Sequence, residues 1–166
     1  FLTTIFTHWI RQDIGQVEIP LFEHAFAVWC GMPALTCVFA PSCGSAFALE
    51  MNGDLYQCDH FVTPDHLLGN LQQRTIREML DSEANQVFGQ KKQPLAPECA
   101  ACEVRFVCHG GCPKDRIALS ARGVPELNYF CASYRAFFTF VDPWMRAMKS
   151  LWEQGRAPSD IRHFLT

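Results

Sequence analysis

CAACEVRFVCHGGC, residues 99–112, places four of the chain's nine cysteines within one short segment. What holds those thiols decides how the rest folds. Both C-x-x-C and C-x-x-x-C spacings occur in it, and short loops of that kind let thiolates converge on one centre. The other cysteines lie at 30, 37, 43, 58 and 131. A lone Cys suits a buried structural thiol, which is the reading given to Cys30, on an apolar face; clustered cysteines do not suit it. With 166 residues, 49% hydrophobic and 19% charged, the chain has material for a core without disulfide staples. Fourteen basic against 17 acidic residues give a net charge of -3, and no Lys/Arg run stands out, which argues against nucleic acid as a partner. The apolar stretches are too short or interrupted to span a bilayer, and Phe1 opens no leader segment, so no membrane is expected and the cytoplasm is. Reducing cytosol does not sustain disulfides, which turns the cysteines toward metal ligation. Phe1 in place of an initiator Met suggests a piece of something longer.

Outward from the cysteines, LTTIFTHWIRQDIG reads as a helix with Leu2, Ile5, Phe6, Trp9, Ile10 and Ile14 on one stripe, closed by Gly15. QVEIPLF alternates as a short strand, and EHAFAVWCG reads as a second helix closed by Gly31. SAFALEM and DLYQC flank Asn52-Gly53, the signal for a type I′ hairpin that would bring Cys43 and Cys58 side by side. TIREMLDSEANQVF is expected as one helix with Ile76, Met79, Leu80 and Val87 on its face, followed by a polar linker and an irregular cysteine loop. From Cys131 the chain reads as helical with a break or kink at Pro143, and RAPSDIRHFLT as a tail without assigned structure. No internal repeat is evident.

Setting Cys30 aside leaves eight cysteines, enough for two four-thiolate shells, either tetrahedral zinc or 4Fe-4S. CHGGCP resembles the end of the bacterial ferredoxin run, whose last Cys serves the other cluster of a pair. Gly110 and Gly111 offer bare amides that can donate to sulfur and offset the charge of a thiolate-bound cluster. Sulfur at these spacings still serves both metals.

The series Cys43-x9-Gly53-x4-Cys58, Cys99-x2-Cys102-x5-Cys108-x3-Cys112, then Cys131 resembles the SPASM domain that follows the barrel in many radical S-adenosylmethionine enzymes. Cys37, NGDLYQCDHFV and LGNL resemble the anaerobic sulfatase-maturating branch, also known as arylsulfatase regulators. The resemblance implies an α+β fold of a small hairpin and cysteine-rich loops with flanking helices around two clusters, preceded by the last elements of a β/α barrel. Residues 1–31 would be the barrel remnant, 32–141 the SPASM domain and 142–166 a C-terminal helix and tail. It implies that Cys37, Cys43, Cys58 and Cys112 hold one 4Fe-4S cluster and Cys99, Cys102, Cys108 and Cys131 another, with zinc as a substitute in a fragment.

The radical-generating C-x-x-x-C-x-x-C is absent, since Asp115 stands where its third Cys would follow Cys108 and Cys112. The chain alone is therefore expected to be inactive, with S-adenosylmethionine and a third 4Fe-4S cluster in a barrel upstream. Similar proteins oxidise a Cys or Ser of a sulfatase polypeptide to Cα-formylglycine, so this domain would supply electron-accepting clusters, a base and part of the peptide groove. Asp59, in CDHF, falls on the base proposed in that family; without the resemblance it reads as a loop cap. His60 and His109 read equally as donors to sulfur or as exposed loop residues, and Phe137, Phe138, Phe140 and Trp144 as core and cluster cover. The competing readings are a zinc-stabilised binding module and a stand-alone ferredoxin-like electron carrier. Colour and iron content set the zinc module apart from the other two.

Overall fold

Helix α1 (Leu2–Gln12) presents Phe6, Trp9 and Ile10 inward at helical spacing, and Gly15, at φ +79°, turns the chain back after it. This is a computed structural model that describes residues 1–44 and 46–165; Ser45, the first residue of the SAFALEM arm, and Thr166, the last of the expected tail, lie outside the described residues. The strand expected over 16–22 is not formed. Val17 is 48% exposed, and Pro20 instead opens α2 (Pro20–Trp29), where a missing N–H is harmless at the first turn. Cys30 caps α2 and is half-buried, so it is not the core residue its apolar neighbours suggested.

The main core is built by α1, α2 and the long α7 (Cys131–Glu153). Phe137, Phe138, Val141, Met145, Met148 and Leu151 form the buried stripe of α7, each worth about 1.5–3 kcal/mol when fully withdrawn from water. Phe6, Phe22 and Phe137 interlock, with Phe6 edge-on to Phe22 at 5.1 Å and Phe22 stacked on Phe137 at 5.6 Å. Phe140 is 40% exposed and so does not fill the core as expected. Helix α7 runs through Pro143 without a break. Pro143 and Thr139, whose carbonyl loses its intrahelical partner, are both exposed, so water can take that carbonyl. The tail is ordered as a 3-10 segment, Pro158–Phe164, anchored by buried Ile161.

A second, smaller core gathers Leu55, Leu68 and Met79 beneath a three-stranded antiparallel sheet, β1 (Ala48–Leu49), β2 (Asp54–Tyr56) and β3 (Leu67–Asn70). The β1–β2 turn is not type I′, because only Gly53, at φ +92°, is left-handed. The Gly53 N–H donates to Glu50 and the Glu50 N–H to Asp54, a three-residue loop with glycine at the bulge. Asn70 then welds β3 on, its Nδ2 donating to the Asn52 carbonyl and to Asp54. The expected single helix over 75–88 is two, α3 (Ile76–Leu80) and α4 (Glu83–Gly89). A Thr75–Glu78 capping box starts the first, and Ser82, accepting from the Asn85 N–H, restarts the chain as the second. Only Met79 and Phe88 are buried; Ile76 and Val87 face solvent.

The cysteine segment is more regular than expected. It contains two single-turn helices, α5 (Pro97–Ala100) and α6 (Arg105–Cys108), and leads to a hairpin, β4 (Ala118–Leu119) with β5 (Pro125–Leu127). Among the described residues no helix is long and apolar enough to cross a membrane.

Candidate metal centre

Each cysteine arrives at its place on a fixed piece of backbone. Cys37 opens a 3-10 turn, Cys37–Phe39; the Cys43 N–H donates to Gly89 at the end of α4; Cys58 follows β2, where the Asp59 N–H donates to Ala46. Cys112 closes the 99–112 segment, its carbonyl held by the buried Asn128 Nδ2 at 3.3 Å. Burial pushes the Cys43 thiol up; Lys92 opposes this, and Cys112 and Cys37 add to it. Burial likewise lifts Cys58 to about 11, with Asp59 and Cys112 adding and the His60 amide opposing. Cys112 is raised by burial and, further down, by Cys37. Cys37, Cys43, Cys58 and Cys112 thus form one electrostatic neighbourhood.

Cys99, Cys102, Cys108 and Cys131 form another, around a cavity they line together with Glu98, Val104 and Asn128. Burial raises Cys108 to about 11, with Cys99, Cys131 and Cys102 adding; burial also raises Cys99 and Cys131. Cys131 is the first residue of α7, where the positive end of a helix favours a thiolate.

One backbone N–H aims at a sulfur: that of His60 lies 3.4 Å from Cys58 Sγ. The amides of Gly110 and Lys114 pull the Cys108 and Cys112 thiols down against burial. Gly110 and Gly111, at φ +75° and +64°, follow His109 at φ +46°, a left-handed run that folds the Gly111 N–H back onto the Cys108 carbonyl at 2.9 Å, so of the two amides expected to reach sulfur this one is taken by backbone. Donors aimed at sulfur stabilise charged, metal-bound thiolate and tune it.

Spacing bears on what such thiolates could surround. Tetrahedral zinc with sulfur at about 2.3 Å requires Sγ atoms about 3.8 Å apart. Among the described residues, the one trio of Cys, His, Asp or Glu ligand atoms within 4.8 Å of one another is Cys58, Asp59 and His60. Among the described residues neither set of four thiols closes to a single-ion shell, and the second set lines a cavity, so the donor set fits iron-sulfur clusters.

Asp59 is exposed, and its side chain accepts one hydrogen bond, from Cys58 Sγ at 3.3 Å. His60 Nδ1 lies 3.4 Å from Cys112 Sγ, so this histidine touches two sulfurs of the first set. His109 sits at the C-cap of α6 with its carbonyl taken by Arg116.

Sequence reading missed two cations and a histidine. Lys92 is 1% exposed and donates to the carbonyls of Cys37, Val38 and Ala40 at 2.6, 2.8 and 2.6 Å. Arg116 donates to the carbonyls of Lys92, His109 and Gly110. His24, fully buried on α2, stacks on Phe39 and bridges the Val107 carbonyl and the Leu35 N–H. KKQ looks like a solvated linker, and nothing in it foretells burial.

This combination of fold and donor set defines a class: residues 37–103 match SPASM, the iron-sulfur cluster-binding domain, and the chain carries that domain. It is the SPASM domain of the radical SAM sulfatase-maturase kind. The chain is 42% identical over 162 residues to a serine-type anaerobic sulfatase-maturating enzyme of Bacteroides thetaiotaomicron, covering 97% of this chain and 39% of the relative. It is 29% identical over 145 residues to a cysteine-type enzyme of Clostridium perfringens, covering 86% and 39%. Among solved structures, native anSMEcpe with bound AdoMet and Kp18Cys peptide superposes with a TM-score of 0.77 at 29% identity, covering 90% of this chain and 42% of that one. The chain therefore spans about two fifths of the relatives it matches.

Proposed function

We propose that Cys37, Cys43, Cys58 and Cys112 bind one auxiliary 4Fe-4S cluster and Cys99, Cys102, Cys108 and Cys131 a second, in an enzyme that oxidises a sulfatase residue to Cα-formylglycine. The observation that carries this is the division of eight thiols into two neighbourhoods, the first with the His60 N–H aimed at Cys58 Sγ and the second lining one cavity. When bound, such clusters supply an acceptor for electrons leaving the substrate. The chain's own residues do the rest. The Cys58 thiol gives up its proton when it becomes a metal ligand. It then no longer donates to Asp59, so this exposed carboxylate is free to take a proton from a substrate hydroxyl or thiol. Its backbone is set by the Asp59 N–H to Ala46 bond and by the neighbouring ligand.

Greater identity to serine-type relatives, 42% and 36%, than to a cysteine-type one, 29%, favours serine as the residue oxidised. Residues 1–31 are read as the end of a radical SAM barrel that would hold S-adenosylmethionine and a third cluster, and 32–141 as the cluster domain. The thiol spacing disfavours the zinc module.

Iron and sulfide analysis of anaerobically prepared chain tests the reading. About eight of each per chain are expected for two four-iron clusters. Zinc at stoichiometric levels with failed iron reconstitution would refute it.

A further inference from the structure

We propose that Lys92, buried, and Arg116, half-buried, form a cationic bridge between the two thiol sets, and that this bridge raises the reduction potentials of the clusters they would hold. The inference rests on the cluster reading above and goes beyond it.

The Lys92 site is built for a charged amine. An ammonium has three donors and no acceptor, and the three carbonyls of the Cys37–Ala40 turn receive all three. A neutral amine has two donors and a lone pair, so one carbonyl would face that lone pair. The turn that carries Cys37 is therefore wrapped around a positive charge shut off from solvent.

Arg116 extends the charge to the second set. One nitrogen donates to the Lys92 carbonyl at 2.9 Å, and the others reach the carbonyls of His109 and Gly110, which stand between Cys108 and Cys112. Cys108 belongs to one set and Cys112 to the other, so the guanidinium sits at the junction; Cys99, Cys43, Cys112 and Cys108 all act on it electrostatically. Gly110 makes the approach possible, since a Cβ there would meet Arg116 Nη2 at 3.0 Å and Leu95 Cδ2 at 2.9 Å.

Reduction adds one negative charge to a cluster already negative through its four thiolates. A cation held in a low-dielectric surrounding favours the reduced state, and water screens it little. Lys92, set against the first group only, should act on one potential, and Arg116 on both. Both are positioning residues that act through charge.

The test is an EPR-monitored redox titration of the reconstituted chain, with iron counted on each sample. Lys92→Met should lower the reduced-to-oxidised ratio of the first cluster at fixed poise at least tenfold, about 59 mV for a one-electron couple, and leave the second cluster within about threefold. Arg116→Met should shift both clusters in the same direction, and Arg116→Lys should restore them. Unchanged potentials in either Met variant with full iron would overturn the proposal. Should Lys92→Met lose iron, the Arg116 pair decides: iron or potentials kept by Lys and lost by Met support it, and equal behaviour of the two overturns it. A wild-type chain that takes up no iron would instead refute the cluster reading itself.

Discussion

Replacing His24 with leucine should loosen the link between the first helices and both cysteine segments. His24 lies on α2, and its Nε2 is 3.1 Å from the Val107 carbonyl of α6, while Nδ1 accepts from the Leu35 N–H at 3.3 Å. An acceptor at Nδ1 requires a neutral ring with its proton on Nε2, donating to Val107. The ring also stacks on Phe39, in the turn opened by Cys37. Leucine retains bulk and supplies neither bond. Leu35 is 60% exposed, so water can replace the partner of its amide, whereas Val107 is 0% exposed and its carbonyl would be orphaned. One buried unsatisfied carbonyl costs about 1–3 kcal/mol, a factor of about 5–150 in the unfolding constant. Burial holds His24 below the ordinary histidine range. With the folded value lowered, the unfolded chain binds more protons below about pH 6.5, so this contribution is present above that value and is lost as pH falls, by up to about 1.4 kcal/mol per pH unit. Urea unfolding at pH 7.5 and 5.5 reads both effects, with iron counted in each sample. His24→Leu should be less stable at pH 7.5, and the gap to wild type should narrow at pH 5.5. A variant within about 0.5 kcal/mol of wild type at both values would refute the reasoning, since surface substitutions alone give that much.

Asp59→Asn, placed in the full enzyme, should retain iron and cofactor cleavage while formylglycine yield falls about 10²-fold or more, measured on one preparation; normal yield per cluster removes Asp59 from the chemistry. Gly111→Ala places a Cβ 2.5 Å from Asn128 Nδ2, the donor to the Cys112 carbonyl, at φ +64°. Gly155→Ala meets nothing within 4 Å at a similar φ of +74° and should cost only the left-handed strain of about 1–2 kcal/mol. Gly111→Ala should cost more by urea midpoint and lose iron faster to a chelator, and equal losses would deny the contact a role.

The candidate ligands were legible in the sequence because thiol chemistry is carried by residue type and local spacing, and the structure groups them into two neighbourhoods. C-x-x-C and C-x-x-x-C, clustered in a chain expected in a reducing compartment, point to metal ligation, and the NG turn with its glycine marks the hairpin even though the turn type differed. Local capping was equally readable in principle: Thr75 with Glu78 and Ser82 mark two helix starts where hydrophobic spacing alone suggested one helix.

Periodicity misled where burial is decided by distant partners. Ile76 and Val87 keep helical spacing yet face solvent, and Val17 alternates like a strand residue yet joins no strand, because its N–H donates back to the Asp13 carbonyl and its carbonyl accepts from Trp9 Nε1. Residue type and spacing by themselves pointed eight clustered cysteines of a foldable chain toward a metal, and gave where those candidate ligands fall along it. Only the tertiary structure decided that a lysine in a polar linker is buried against the Cys37 turn, that Arg116 stands between the two thiol sets, and that His24 ties α2 to α6. The physical reason is range: ligand spacing is a property of neighbouring residues, whereas a buried cation or a neutral histidine is set by carbonyls 52 to 55 and 83 residues away in the chain.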